Sequence, residues 1–502
     1  MSEPLILPLD AHNRRLLGNV HPEGHVNPEP RGRYHLVVLG AGTGGLVTAA
    51  IAAALGARVA LLEKRLAGGD CLNVGCVPSK ALLRAARSWS EARRSAADFG
   101  GPRAAGGEDF DLVMARLRRL RADLSANDSV ARFRSLGVDV FLGEGRFASA
   151  DTIEVEGARL RFRRAVIATG GRPAVPDVPG LGAVDPLTNE TVFWLTERPR
   201  RLAVLGGGPI GCELAQAFAR FGSEVTLVQR AGHLLPREDP DAGGILARAL
   251  ERDGVRLRLA SRLVEARREG EETILTIGPT PDTIACDQVL VAAGRLPNVE
   301  RLGLDRAGIA ATSAGVTVDA RLRTANPRVY AVGDVASSCK FTHAADAQAR
   351  LVVRNALFFG RGRADRLVMP WCTYTQPEVA RVGLSEAEAR RAGVPLDTIT
   401  VPLADNDRAV LDGATEGFLR LHLRRGTDRL AGALIVADHA GDLLAPLTLA
   451  MTAGLGLGRL GSAIPPYPTQ GEAVRRAADA RGRARLTPRT RRLFELFFRF
   501  FG

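Results

Sequence analysis

The sequence predicts an α/β chain in which one strand–helix–strand unit occurs twice. The first copy begins near Tyr34. An apolar strand, residues 36–39, enters the turn Gly40-Ala41-Gly42-Thr43-Gly44-Gly45; an alanine-rich helix follows, and after Gly56 a second strand, residues 59–62, ends at Glu63. The second copy runs from Ala203 to Arg230, and a shift of 166 positions lays one on the other without a gap. Gly40, Gly42, Gly45, Gly56 and Val59 then fall on Gly206, Gly208, Gly211, Gly222 and Val225. At 502 residues the chain has room for about three domains with substantial cores.

Glycines at these spacings permit a tight turn and let a pyrophosphate approach a helix N-terminus, while an acid at the end of the second strand reaches a ribose hydroxyl. Both copies therefore read as Rossmann-like dinucleotide-binding units. The register also exposes a difference: Glu63 corresponds to Gln229, and Arg230 follows. A carboxylate favours a free ribose 2′-hydroxyl, whereas its loss beside an arginine suits a 2′-phosphate. The first unit is suited to the adenosine of FAD and the second to NADPH, with NADH as the alternative.

Directly after the first unit comes Gly-Gly-Asp-Cys-Leu-Asn-Val-Gly-Cys-Val-Pro-Ser-Lys, residues 68–80. Cys71 and Cys76 are spaced to close a small disulfide ring. The Pro-Ser-Lys-Ala-Leu-Leu run reads as a helix start, which places Cys76 near the positive end of a helix dipole and favours its thiolate. A cofactor fold beside an activated cysteine pair implies electron transfer between a bound cofactor and a disulfide.

Composition excludes several other classes. The net charge of +13 suggests nucleic acid at first sight, but lysine occurs only at Lys64, Lys80 and Lys340, and arginine is scattered along the chain. No basic stripe interleaved with aromatics appears before the C-terminal tail, so no nucleic-acid partner is expected. Six cysteines in 502 residues do not make a secreted disulfide framework. Cys212, Cys286, Cys339 and Cys372 are expected to be buried small hydrophobes. Neither a signal peptide nor a bilayer-spanning stretch is visible, which predicts a cytoplasmic protein.

On these residues the chain resembles the pyridine nucleotide–disulfide oxidoreductases, the family of glutathione reductase, dihydrolipoyl dehydrogenase and mercuric reductase, over about residues 34–480. Ala168-Thr169-Gly170-Gly171 and Ala293-Gly294-Arg295-Leu296-Pro297-Asn298 look like its mid-chain glycine motifs. Ala331-Val332-Gly333-Asp334 looks like its second FAD sequence, with Asp334 on the ribityl chain. Thr375-Gln376-Pro377-Glu378 looks like the start of its dimerisation domain. The resemblance implies an N-terminal extension (1–33), an FAD-binding domain in two parts (34–185 and 301–365), an inserted NAD(P)-binding domain (186–300), an α+β dimerisation domain (366–480) and a basic aromatic tail (481–502). The extension reads as a surface wrap; its His12, His21 and His25 lack companions at metal-ligand spacing.

The same resemblance implies a mechanism. Hydride passes from NAD(P)H to FAD and electrons go on to Cys76, the thiol nearer the flavin; Cys71 then attacks the acceptor as the interchange thiol. Lys80, one helical turn beyond Cys76, places a positive charge near the flavin, and Glu213 matches the glutamate that pairs with it. In the disulfide reductases a C-terminal histidine and a glutamate five residues later, supplied by the partner subunit, act as general acid in a homodimer. Here Glu472 stands in place, but Tyr467 occupies the histidine's position. A phenol titrates near pH ~10 and is a poor proton shuttle at neutral pH.

Mercuric reductases also carry a tyrosine at that position, consistent with Hg²⁺ exchange onto the soft thiolates of Cys71 and Cys76 as transient ligands. The chain lacks that branch's C-terminal cysteine pair and its N-terminal heavy-metal domain, so it reads as a mercuric-reductase-like relative with a small-molecule or metal-ion acceptor. Dihydrolipoyl dehydrogenase is the nearest enzyme alternative; a non-catalytic flavin-binding protein is another, disfavoured by the retained Cys71, Cys76, Lys80, Glu213 and Glu472. In the tail, Arg491, Glu495 and Arg499 form one polar stripe surrounded by Leu493, Phe494, Leu496, Phe497, Phe498, Phe500 and Phe501. Such a helix suits a membrane interface or the protein's own dimer, and membrane contact would admit a quinone acceptor.

Overall fold

The computed structural model describes residues 5–102, 109–279 and 282–501. The chain forms two compact units. One runs to Arg230 and resumes over Asp253–Leu367; the other consists of Ala231–Arg252 and the chain from Val368 onward.

The first unit opens with a helix, α1 (Ala11–Val20), followed by β1 (Arg33–Leu39), α2 (Thr43–Ala54), β2 (Val59–Glu63), the short α3 (Gly69–Asn73), the long α4 (Cys76–Phe99), α5 (Phe110–Leu124) and α6 (Val130–Ser135). Strands β3 (Asp139–Leu142), β4 (Arg146–Ser149), β5 (Thr152–Val155) and β6 (Ala158–Ile167) complete a sheet of order β3-β2-β1-β6-β5-β4. Its β3-β2-β1-β6 part is parallel. The strand Val329–Ala331 returns to pair with β6, which joins the late segment to the first sheet. Strand β1 is buried on both faces, as a central parallel strand must be. Leu36 and Val38 enter one core cluster with Leu16 and Val20, while Val37 and Leu39 enter another with Phe141 and Phe147.

The extension is thus more than a surface wrap. Asp10 caps α1 by accepting from the Asn13 N–H at 2.8 Å, and Asn13, Leu16 and Val20 are fully buried. An N-cap acid and two apolar residues four apart put one helix face into the core of the first sheet.

After β7 (Gly171–Pro173), the second fingerprint builds a parallel sheet from β8 (Arg201–Leu205), β9 (Glu224–Val228), β10 (Arg256–Arg258) and the later strand Gln288–Val291, in the order β10-β9-β8 and then Gln288–Val291. Its helix, α7 (Pro209–Arg220), lies 166 positions after α2 at both ends.

In the second unit, an antiparallel five-stranded sheet runs in the order Pro370–Thr373, Glu378–Gly383, Leu430–Ala437, Phe418–Arg424, Leu396–Pro402. The segment Ala231–Arg252, with α8 (Pro240–Arg252), belongs to this unit for an electrostatic reason. Fully buried Arg381 meets Glu238 at 3.3 Å and Glu388 at 3.0 Å. Arg420 meets Asp239 at 3.0 Å and Asp241 at 2.5 Å, and Arg252 meets Glu416 at 2.6 Å. The Trp371 indole donates to Glu238 at 2.7 Å while its ring lies under the Arg381 guanidinium.

Candidate active site

Both fingerprints adopt the same backbone. Gly40 and Gly206 take φ of +101° and +115°, and Gly42 and Gly208 form the N-caps of α2 and α7 with φ near −80°. A Cβ on Gly45 would lie 1.8 Å from the Gly40 carbonyl oxygen, and one on Gly211 would lie 1.8 Å from that of Gly206. Neither helix has a capping side chain or an acid in its first turn, so the N-terminal N–H groups of both face outward to an anion.

At the end of β2, the Glu63 carboxylate accepts from the Ala41 N–H at 2.7 Å and the Arg65 N–H at 2.8 Å, while burial raises its pKa. In the second copy the Gln229 amide oxygen accepts from the Gly207 N–H at 3.2 Å, the equivalent position, and Arg230 is exposed beside it.

The mid-chain motifs are stitched to one another. Strand β7 pairs antiparallel with Arg295–Pro297. Asn298 donates from its amide to the Thr169 carbonyl at 2.9 Å and from its backbone to the Gly170 carbonyl at 3.0 Å. Gly170 and Gly294 hold positive φ of +67° and +130°, which glycine adopts without strain. Arg295 donates to Asp334 at 3.1 Å, to Asp70 and to the Gly171 carbonyl at 2.8 Å. Burial raises the Asp334 pKa, and Arg295 opposes that shift. These residues fit a flavin dinucleotide. Gly40 and Gly45 leave no room for a side chain, the helix N-terminus is uncapped, and Glu63 and Asp334 carry acceptor oxygens of the kind that ribose and ribityl hydroxyls need.

Cys71 lies on α3 and Cys76 is the first residue of α4; both are free thiols. Cys71 donates a hydrogen bond to Cys76, which is the main reason the Cys76 pKa falls below the ordinary thiol range; burial opposes this, while Thr342 and the Lys80 ammonium add to it. The same hydrogen bond, together with burial, pushes Cys71 upward. The Thr342 hydroxyl sits 3.2 Å from the Cys76 sulfur. Lys80 Nζ donates to Glu213 Oε2 at 2.8 Å, joining the helix of the cysteine motif to α7, with Glu213 buried and Lys80 half-exposed.

Tyr467 and Glu472 belong to the second unit. The Tyr467 hydroxyl donates to Asp407 at 3.0 Å, and this bond with the Asp407 charge raises the phenol's pKa. Glu472 begins the helix Glu472–Ala484, and its Oε2 is buried without a hydrogen-bond partner among the described residues.

Sequence reasoning missed Thr342, the Arg295 bridge to Asp70, and Lys340, which donates to the Arg295 carbonyl at 2.6 Å. Lys340 had a usable signal, since it is one of only three lysines in an arginine-rich chain. Of the other cysteines, Cys212 and Cys286 are buried as expected, whereas Cys339 and Cys372 are only half-buried. No group of His, Cys, Asp and Glu able to hold a metal ion occurs among the described residues. His21 and His25 instead meet the backbone carbonyls of Arg65 and Val140.

Two dinucleotide cradles, a cysteine pair at the head of α4 and an α+β unit define an FAD- and NAD(P)H-dependent oxidoreductase. Residues 34–349 match the pyridine nucleotide-disulphide oxidoreductase model and residues 369–478 match its dimerisation domain. The chain belongs to the pyridine nucleotide–disulphide oxidoreductases. It is 37% identical over 455 residues to a mercuric reductase of Streptomyces lividans, covering 89% of this chain and 96% of the relative. It is 35% identical over 463 residues to a dihydrolipoyl dehydrogenase of Thermus scotoductus, covering 89% and 97%. The HOCl-induced flavoprotein disulfide reductase RclA of Escherichia coli has a similar structure, with a TM-score of 0.79 at 28% identity over 89% of this chain and 99% of that one. The dimerisation domain supports a homodimer.

Proposed function

We propose that Cys71 and Cys76 are the redox couple of this oxidoreductase, with Cys76 the cofactor-side thiolate, Cys71 the interchange thiol, and a soft metal ion such as Hg²⁺ the acceptor. The observation that carries this reading is the placement of the two thiols: Cys76 opens α4 with its sulfur 3.2 Å from the Thr342 hydroxyl, and Cys71 lies five residues before it on α3. When bound, FAD supplies a two-electron relay between nicotinamide hydride and the dithiol. Gly40, Gly42, Gly45, Glu63, Gly170, Gly294 and Asp334 would hold it; Gly206, Gly208, Gly211, Gln229 and Arg230 would hold NADPH.

The protein's own groups account for the remaining steps. Lys80, fixed by Glu213, stabilises the Cys76 thiolate. Cys71 exchanges onto the acceptor as the thiolate, giving its proton to solvent. A disulfide acceptor requires protonation of a leaving thiolate. Tyr467, hydrogen-bonded to Asp407 and raised in pKa, is poorly suited to give that proton at neutral pH. A metal ion requires no such proton: NADPH and Hg²⁺ give NADP⁺, H⁺ and Hg⁰, a balanced two-electron exchange. This favours the metal over lipoamide or glutathione disulfide.

The test is anaerobic reduction of the flavin-loaded enzyme with NADPH or NADH, followed by Hg²⁺, lipoamide, glutathione disulfide or a quinone. A long-wavelength thiolate–flavin charge-transfer band is expected, lost in Cys76→Ser and retained in Cys71→Ser. A band that survives in Cys76→Ser would reverse the assigned roles. Turnover with lipoamide faster than with Hg²⁺ would replace the acceptor.

A second reading concerns the tail. The helix Pro488–Phe501 buries none of its side chains, and Phe500 is 80% exposed. Residues 481–501 hold seven arginines against Glu495, which pairs with Arg491 at 3.6 Å. A basic helix with a broad aromatic face fits peripheral contact with an anionic membrane. Among the described residues no helix is long and apolar enough to cross one. Flotation of full-length and tail-deleted protein on anionic vesicles decides this; equal flotation removes the membrane reading.

A further inference from the structure

The N-terminal extension reaches the segment that carries Cys71 at both ends. At the front, the Ala67 N–H donates to the Val20 carbonyl at 3.1 Å, and His21 Nδ1 contacts the Arg65 carbonyl. At the back, Arg121 of α5 donates from one nitrogen to the Asn73 carbonyl at 2.7 Å and from another to Asn13 Oδ1 at 2.7 Å. Asn73 is the last residue of α3, two beyond Cys71. Its side chain ties the segment to itself, donating to the Ala67 and Gly69 carbonyls at 3.0 and 2.9 Å. Helix α1 is in turn fixed on α5 by Arg118–Asp10 at 2.6 Å and Asn19–Ser125 at 2.8 Å.

The central link is a costly one. Arg121 is fully buried, and among the described residues no carboxylate pairs with it. Burial pulls its pKa down to about 10, so it keeps its charge at neutral pH with two neutral oxygens as its hydrogen-bond partners. An apolar side chain could fill the space without that desolvation. What only a guanidinium supplies is a rigid fork joining two separated acceptors. Residues 10–21 precede the stretch that matches the family model, which begins at residue 34.

We propose that the extension, through Asn13 and Arg121, is a positioning element of the redox loop that holds Cys71 against Cys76 and so sets the reduction potential of the pair. The proposal rests on that pair being the redox couple. A disulfide demands tight geometry between its two cysteines, while a dithiol tolerates separation. Releasing α3 lowers the effective concentration of Cys71 at Cys76 and displaces the equilibrium toward the dithiol.

The experiment equilibrates full-length, flavin-loaded protein in graded dithiothreitol redox buffers, traps free thiols, and counts those at Cys71 and Cys76 by mass spectrometry. Asn13→Ala and Arg121→Gln are expected to shift the equilibrium toward the dithiol by about tenfold, or about 30 mV for two electrons. Asn13→Asp, which keeps the acceptor oxygen, should stay near wild type. Leu16→Ala weakens the packing of the same helix and should lower the melting temperature without moving the equilibrium. An unshifted Asn13→Ala, or an equal shift in Leu16→Ala, overturns the proposal. If the wild-type protein forms no reversible Cys71–Cys76 disulfide, the redox assignment itself fails and the positioning role fails with it.

Discussion

The two fingerprints share a backbone and differ in what surrounds it. Their helices occupy positions 43–54 and 209–220, their first glycines share a positive φ, and in each a Cβ on the third glycine would strike the carbonyl of the first at 1.8 Å. The strand ends differ: Glu63 accepts two backbone N–H groups with a half-buried carboxylate, while Gln229 accepts one with a neutral amide and leaves Arg230 exposed beside it. Another difference lies one turn into the helix, where Val47 of the first copy corresponds to Glu213 of the second. Glu213 is the residue that meets Lys80. Backbone sterics fixed the parts that bind any dinucleotide, and a few side chains were left to assign the ligand and the chemistry.

The largest expected effect comes from filling the cradles one at a time. Gly45→Ala places a methyl into the Gly40 carbonyl and should yield protein without bound flavin, read as loss of visible absorbance. Gly211→Ala should keep its flavin yet lose reduction by NADPH. Loss of flavin in both, or in neither, would break the division of labour.

Next in size is the Lys80–Glu213 contact. Glu213→Gln keeps the shape but removes the charge that fixes Lys80, and stopped-flow reduction should slow by about tenfold, the scale of a charged hydrogen bond at ~1.5 kcal/mol. Val47→Ala, at the matching position of the first copy, should leave that rate within about twofold.

A comparable but more selective change is expected at the strand end. Gln229→Glu with Arg230→Ala should move the kcat/KM ratio from NADPH toward NADH by about tenfold or more, since a charge-assisted phosphate contact contributes ~1.5–3 kcal/mol. An unchanged ratio would remove Arg230 from the site.

The smallest effect is a displacement in pH. The Cys76 pKa is depressed, so its thiolate persists below the ordinary thiol value of ~8.5. The stabilisation it contributes is present above that value and is lost as pH falls through the depressed one. The charge-transfer band should follow the same titration, and Lys80→Met should move its loss upward by about one unit.

Much of the fold was legible because the turns impose residue types. Only glycine tolerates the φ of Gly40 and Gly206 or the crowding at Gly45 and Gly211, so the fingerprints and their register appear in one dimension. The cysteine motif was equally readable, since a helix beginning at Cys76 is a local event. The α1 helix was less so. Its apolar positions are few, and its burial depends on α5, about a hundred residues later in the chain.

By itself, then, the sequence determined the two cradles, the cysteine pair that lies between them in the chain, and the tyrosine at position 467. Only the tertiary structure decided which arginines matter. In a chain where nearly every basic residue is arginine, nothing local distinguishes Arg121 or Arg381 from their neighbours, and the glycine motif around Arg295 does not show what that arginine meets. Each is marked by burial and by acceptors far away in sequence, Asn13 and Asn73, Asp70 and Asp334, Glu238 and Glu388. Covalent spacing and backbone sterics act locally and leave a pattern in the sequence. Desolvated charges are selected by what folding brings around them, and that selection exists only in three dimensions.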